Sequence, residues 1–171
     1  MFTMKVTETN RLSLRWVEET DAGFILTLLN EPGWLKYIGD KGIHTLEDAN
    51  RYIMNGPSAM YEQKGFGLFL VERKLDHVPI GLCGLIKRDG LKDVDIGFAF
   101  LTDYQSQGYA YEAAFATVEL AKELGIKRLV AITTKDNAPS SKLLEKLDMK
   151  FEGYVTLPND TEELKKFGLK I

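Results

Sequence analysis

A strand-like run, Val94 to Leu101, passes through the short loop Tyr104 to Ala110 into a helix-period run, Tyr111 to Leu124. No other stretch constrains the fold as strongly. A small-residue loop that opens a helix makes an anion site, because first-turn N–H groups lack intrahelical partners. The helix macrodipole adds roughly half a positive charge there. Gly108 and Ala110 leave room for a phosphate or pyrophosphate to approach the backbone. The same spacing would also serve an ordinary tight connection.

The spacing excludes two common phosphate loops. A Walker loop requires Lys followed by Ser or Thr, and neither pair follows Gly108. A dinucleotide fingerprint requires three glycines after the first strand of a βαβ unit. The loop resembles instead the Q/R-x-x-G-x-G/A segment of the GNAT acetyltransferase superfamily, here Gln105-x-x-Gly108-x-Ala110. Asn137 to Met149 is similar to a second motif of that superfamily, N-x-x-S-x-x-x-L-E-K-L-G-[FM]. The N-terminal stretch resembles the ribosomal-protein-alanine N-acetyltransferase-like branch, through Thr9 to Arg15, Tyr37-Ile38-Gly39, and Thr45 to Ala49 with Tyr52-Ile53. Together the motifs span nearly the whole chain.

Composition narrows the remaining classes. At 171 residues the size prior expects a single domain over residues 1–171 with a substantial core. Apolar residues make up 44% and charged residues 27%, the profile of a soluble globular protein. No apolar run reaches bilayer length, and Met1 to Asn10 lacks a signal-peptide pattern. A single cysteine, Cys83, forms no internal disulfide, so a reducing, cytoplasmic location is expected. Cys83 lies in the apolar run Ile80 to Ile86 and reads as a buried inert thiol rather than a nucleophile. His44 and His77 lie far apart, and no metal-spaced cluster is expected. A net charge of −3 argues against nucleic acid as the main partner.

Periodicity supplies the element order. Arg11 to Trp16 alternates like a strand, and Asp21 is placed to cap a helix whose buried stripe is Phe24, Ile25, Leu28 and Leu29. Thr45 and Asp48 form a capping-box pair, with Asp replacing the usual Glu. Gly56-Pro57 is expected to break or kink the helix begun at Thr45. Gly67 to Glu72, Ile80 to Ile86 and Val94 to Phe100 read as strands, joined by turns at Lys74 to Val78 and Asp89-Gly90. The helix after the loop ends at Gly125; then come strand Leu129 to Thr133, a helix from about Pro139 to Leu147, and strands Phe151 to Leu157 and Glu163 to Ile171. This order predicts an α/β fold, a mixed central sheet of about seven strands with helices on both faces. The GNAT resemblance implies a splay between the fourth and fifth strands, Val94 to Phe100 and Leu129 to Thr133, with pantetheine in the gap.

The resemblance also implies site residues. Acetyl-CoA would be held by the backbone of Gln105, Ser106, Gln107, Gly108, Tyr109, Ala110 and Tyr111 at its pyrophosphate, by Phe98, Ala99 and Phe100 near the acetyl group, and by Asn137 on the pantetheine arm. Asn137 is equally a good helix N-cap. Of Tyr109 and Tyr111, one is expected to pack and one to cover the cofactor. Lys142 and Lys146 lie one helical turn apart, either facing the nucleotide phosphates or forming a solvated face. Asp95 is the candidate base, directing water toward an amine; the alternative is a surface carboxylate beside Asp93 and Lys92. The family's usual acid, a Tyr seven residues after the Asn, is replaced by Leu144, leaving Ser140 or water to supply the thiolate's proton. Asp148 stands where Gly is usual, suggesting an Asx-type turn.

The activity so implied is transfer of acetyl from acetyl-CoA to a primary amine by direct attack in a ternary complex, without a metal. The amine is a protein N-terminal α-amine or a small molecule. Roughly a tenth of an α-amine of pKa near 8 is neutral at pH 7, against about one lysine in 2,500, so a weak base favours the former. The alternative is a non-catalytic acyl-CoA-binding or interaction module. The acceptor pocket is expected from Trp34 to Gly42 and the C-terminal strands, with Glu31 and Asp40 as reserve bases. An edge at Glu163 to Ile171 would pair with another copy in a homodimer.

Overall fold

The computed structural model describes residues 4–171; Met1 to Thr3, the start of the stretch read for a signal pattern, lie outside the described residues. Among these residues eight strands form one mixed sheet in the order β1-β2-β3-β4-β5-β6-β8-β7. The strands are β1 (Lys5–Glu8), β2 (Leu12–Arg15), β3 (Leu68–Arg73), β4 (Val78–Ile86), β5 (Val94–Phe100), β6 (Arg128–Thr134), β7 (Lys150–Val155) and β8 (Leu164–Lys170). The helices are α1 (Ala22–Leu28), α2 (Pro32–Tyr37), α3 (Leu46–Ile53), α4 (Ala59–Lys64), α5 (Tyr109–Glu123) and α6 (Ala138–Lys146). Short β1 and the six-residue α2 were not anticipated; each is too brief for periodicity to declare itself.

Each face of the sheet carries its own core. On one face Ala113, Ala114, Val118 and Ala121 of α5 pack on Leu14, Val71, Cys83 and Ile96. On the other, Ile25 and Leu28 of α1, Trp34 of α2 and Ala49 and Ile53 of α3 cover Leu70 and Leu82. Strand alternation divides β5 between them: Ile96 and Phe100 belong to the α5 face, whereas Ala99 packs with the α1–α3 face.

Pairing along β5 creates the opening. On one side β5 is zipped to β4 for its whole length, from Ile86↔Asp95 to Gly81↔Phe100. On the other, its parallel pairing with β6 covers only Val94↔Leu129 and Asp95↔Val130. Beyond that point the strands part, which is the splay expected between the fourth and fifth predicted strands. The N–H of Leu101 donates to the Ile80 carbonyl at 2.9 Å. By the two-residue alternation of an antiparallel ladder, Ala99 and Gly97 also direct their backbone groups to β4, and Phe98 and Phe100 direct theirs into the gap.

Several local expectations change. Asp21 does not cap α1; its carboxylate accepts from the Glu18 N–H and from both Nη groups of Arg15. The Thr45–Asp48 capping box forms as expected, at 3.0 and 3.1 Å. Pro57 neither breaks nor ends its helix. A π-helical turn, Met54–Ser58, absorbs the proline's missing donor and carries α3 into α4. Asp148 takes a left-handed φ of 69°. That turn is closed by backbone bonds from Asp148 and Met149 to Glu145 and Leu144, not by an Asx side-chain bond. The C-terminal strand is not an edge either: β8 lies between β6 and β7, so the free edges are β7 and β1.

Candidate active site

A cavity of about 820 Å³ occupies the gap and runs from the loop before α5 to the α1–α3 face. Ser106 and Gly108 both adopt positive φ, 61° and 83°. Glycine tolerates that geometry freely, and at Ser106 the fold imposes it on a side-chain-bearing residue. Among the described residues the N–H groups of Ser106 through Tyr111 find no intramolecular acceptor, the next bond being Glu112 N–H to the Gly108 carbonyl at 3.1 Å. Six successive free donors at the start of a 15-residue helix concentrate positive potential at the cavity mouth. Across the gap, Asn137 caps α6 by accepting the Ser140 N–H at 3.3 Å. Asn137 and Ser140 both line the cavity.

A model of the acetyltransferase (GNAT) domain matches residues 11–150. The chain belongs to the GNAT acetyltransferase family. A protein of Bacillus subtilis (strain 168) named an uncharacterized N-acetyltransferase, YnaD, is 31% identical over 147 residues, covering 85% of this chain and 83% of its own. A GNAT-family acetyltransferase from Bacillus anthracis superposes with a TM-score of 0.80 at 26% identity over 98% of each chain. The ribosomal L7/L12 alpha-N-protein acetyltransferase RimL, solved in complex with coenzyme A, gives a TM-score of 0.80 at 18% identity, again over 98% of each chain. At that identity the likeness to RimL is one of fold.

Within this GNAT frame most of the expected cofactor residues meet in one cavity. Phe98, Ala99, Phe100, Gln105, Ser106, Gly108, Ala110, Tyr111 and Asn137 all line it. Three of the assignments change in kind. Ala99 presents its methyl group, because its N–H belongs to the β4 ladder. The side chains of Gln107 and Tyr109 do not reach the cavity: Gln107 Nε2 donates to the Asp103 carbonyl, and Tyr109 is buried in the core. Only their backbone N–H groups remain as donors. Gln105 Nε2 donates to the Phe100 carbonyl at 2.9 Å, tying the loop to the strand wall. Tyr111 is the tyrosine that lines the cavity, with Lys146 Nζ 4.3 Å from its ring centroid.

The loop is held from outside by a cluster that the motif comparison does not assign. Arg11 Nε meets Glu112 Oε1 at 2.7 Å and its Nη1 donates to the Gln107 carbonyl at 3.1 Å. Its guanidinium lies 4.3 Å from the Tyr109 ring centroid. Glu112 also accepts the Arg11 N–H and the Thr9 hydroxyl. The signal was present in the Thr9 to Arg15 motif, but its contact with the loop spans about a hundred residues of sequence.

Asp95 is not a surface carboxylate. It is only 1% exposed, lines the cavity, and forms an ion pair with Arg88 across the β4–β5 turn. Burial pushes its pKa above the usual carboxylate value, and the Arg88 and Lys87 charges oppose that rise. Arg88 was missed, although the pairing Ile86↔Asp95 places it just beyond the partner position. Glu31 accepts the Thr102 N–H at 2.9 Å and lines the cavity, whereas exposed Asp40 accepts the Gly42 N–H and does not line it. The acceptor side is walled by Trp34, Tyr37, Ile38, Tyr52, Pro57 and Met60. The C-terminal strands take no part in that lining, because β6 screens β8 and β7 from the gap. Leu144, at the usual acid position, is 1% exposed. Cys83 is a buried thiol pushed up to about 12 by desolvation, which makes it a poor nucleophile. Among the described residues no group of three metal-ligating side chains gathers, and no helix is long and apolar enough to cross a membrane.

Proposed function

We propose that the protein acetylates a primary amine from acetyl-CoA by direct attack in a ternary complex. The observation that carries this reading is the β5–β6 gap, with six free N–H groups at its mouth and the Phe98 and Phe100 backbone along its wall. A pyrophosphate fits the N–H row, and pantetheine amides fit a strand edge with unpaired donors and acceptors. The amide Nδ2 of Asn137, left over from capping, is available to the same arm. The coenzyme A complex of RimL supports this placement by fold.

The amine nitrogen attacks the thioester carbonyl, and the developing oxyanion is met by a gap-facing N–H of β5. The ammonium proton passes through water to Asp95, whose burial raises its affinity for a proton. The carbon–sulfur bond then breaks, and the thiolate takes a proton from Ser140 or from water reached through it. Three elements support the ribosomal-protein branch: the Thr9 to Arg15 and Tyr37 to Gly39 motifs, and the RimL likeness. A second reading, an acyl-CoA-binding module without turnover, draws on the buried Leu144 at the acid position. Coenzyme A release measured against a panel of amines and N-terminal peptides separates the two. Acetyl-CoA binding with no release for any amine would refute the enzyme.

A further inference from the structure

Two arginines in this protein pair with buried carboxylates, and they do so differently. Arg15 is spent: its Nη1 and Nη2 hold Asp21 at 2.8 and 2.9 Å, and its Nε holds Glu72 at 3.2 Å. Its side chain is 12% exposed. Arg88 engages Asp95 through Nε alone, and among the described residues its two Nη groups have no acceptor. Its side chain is 36% exposed and lines the cavity. A guanidinium recruited only to neutralise a carboxylate gains most from the two-pronged geometry. Arg88 forgoes it and keeps both Nη groups free at the acceptor side.

The surrounding charges point the same way. Of the carboxylates on the cavity wall, Asp95 is taken by Arg88 and Glu31 accepts the Thr102 N–H. Lys142 and Lys146 lie on α6, with Lys146 over Tyr111 at the loop end, where the nucleotide would sit. That leaves Arg88 and Lys41 as the cations of the acceptor side. Trp34, 6% exposed on the same wall, has an indole N–H without an acceptor. The unpartnered polar groups here are donors, so the missing ligand atoms are acceptors.

We propose that the acceptor is an amino-acid-like amine, its carboxylate held by the Nη groups of Arg88 and its amine directed to Asp95. This rests on the acetyltransferase reading above. A zwitterion then meets an ion pair with each charge opposite its complement. Nε and Nη belong to one planar fork, so the two substrate charges must sit on the same carbon or on neighbours. A polypeptide N-terminus offers a neutral carbonyl at that place and leaves Arg88 unanswered.

The test compares free L-alanine, L-glutamate and L-phenylalanine with their carboxamides and with an alanine-initiated tripeptide, by coenzyme A release. Rates are expressed per neutral amine, because the carboxamides have lower amine pKa values. The wild-type protein should prefer the acids by at least about tenfold in kcat/KM, as expected for a charge-assisted pair. Arg88→Gln should reduce that ratio to within about twofold, and Arg88→Lys, which keeps the charge and loses the fork, should fall between. The ratio cancels any effect of the substitution on Asp95, and the wild-type comparison needs no variant to fold. Equal or better use of carboxamides or the tripeptide by the wild type would overturn the proposal while leaving acetyl transfer intact. No turnover of any amine would overturn the acetyltransferase reading and this one with it.

Discussion

Arg11→Ala should weaken acetyl-CoA binding without touching the cofactor, because Arg11 holds the loop from its outer side. The substitution removes the Glu112 ion pair, the bond to the Gln107 carbonyl and the stack on Tyr109. The Arg11 side chain is 40% exposed, so solvent screening puts each contact at the low end of its range. That is about 1 kcal/mol for the ion pair and about 0.5 kcal/mol each for the carbonyl bond and the stack, roughly 2 kcal/mol together. If this energy holds Ser106 to Tyr111 in the binding geometry, its loss should raise the acetyl-CoA Kd by about 10- to 30-fold. Melting should fall by roughly 4–8 °C for a chain of this length. Titration calorimetry and thermal melts measure the two effects separately, and Lys5→Ala, which breaks an exposed ion pair with Glu8, is the control. Glu112→Gln should weaken binding in the same direction, and the double variant should lose less than the sum. A Kd unchanged within twofold in a folded Arg11→Ala protein would refute the claim that this clamp shapes the site.

Gly108→Val places a branched residue at φ 83°, a conformation costing L-residues about 1–2 kcal/mol. Relief of that strain should rotate the loop N–H groups away and raise the acetyl-CoA Kd more than tenfold by calorimetry, or about 1.4 kcal/mol. Asn137→Ala should cost about 1 kcal/mol of stability from the lost cap and also weaken acetyl-CoA binding; lower melting with unchanged affinity would make Asn137 a cap alone. Asp95→Asn should lower turnover most at low pH, with the deficit shrinking as pH approaches the amine pKa, whereas Ser140→Ala should lower it at every pH. A parallel profile for Asp95→Asn would remove Asp95 as the base. Because burial raises the folded pKa of Asp95, its protonated form favours the fold. That contribution is present below the unfolded carboxyl pKa of about 3.9 and is lost as pH rises through the folded value. The wild-type minus Asp95→Asn difference in urea unfolding free energy should therefore fall from about pH 4 upward, and a flat difference would contradict the burial argument.

The parts legible in the sequence were those whose cause is local. Leu12 and Leu14 alternate with polar neighbours and form a strand; Ala113, Ala114, Val118 and Ala121 recur at helical spacing and bury on the sheet. Gly125 stops α5 because it alone takes φ 81° there without penalty. The loop from Gln105 to Ala110 and the cap at Asn137 could be named because a helix N-terminus carries its donors wherever it is placed. Other features had to wait for the tertiary structure, because they are meetings between distant segments. Periodicity cannot say that β5 leaves β6 after Asp95, that β8 runs inside β7, or that α1–α3 rather than the C-terminal strands wall the acceptor side. The neighbours Lys92 and Asp93 are equally consistent with Asp95 on the surface. It becomes a buried, arginine-paired group only because the β4–β5 register brings Arg88 beside it. Alternation along a strand assigns a side chain to a face; what covers that face, and with which charge, is decided by the packing of elements far apart in the chain.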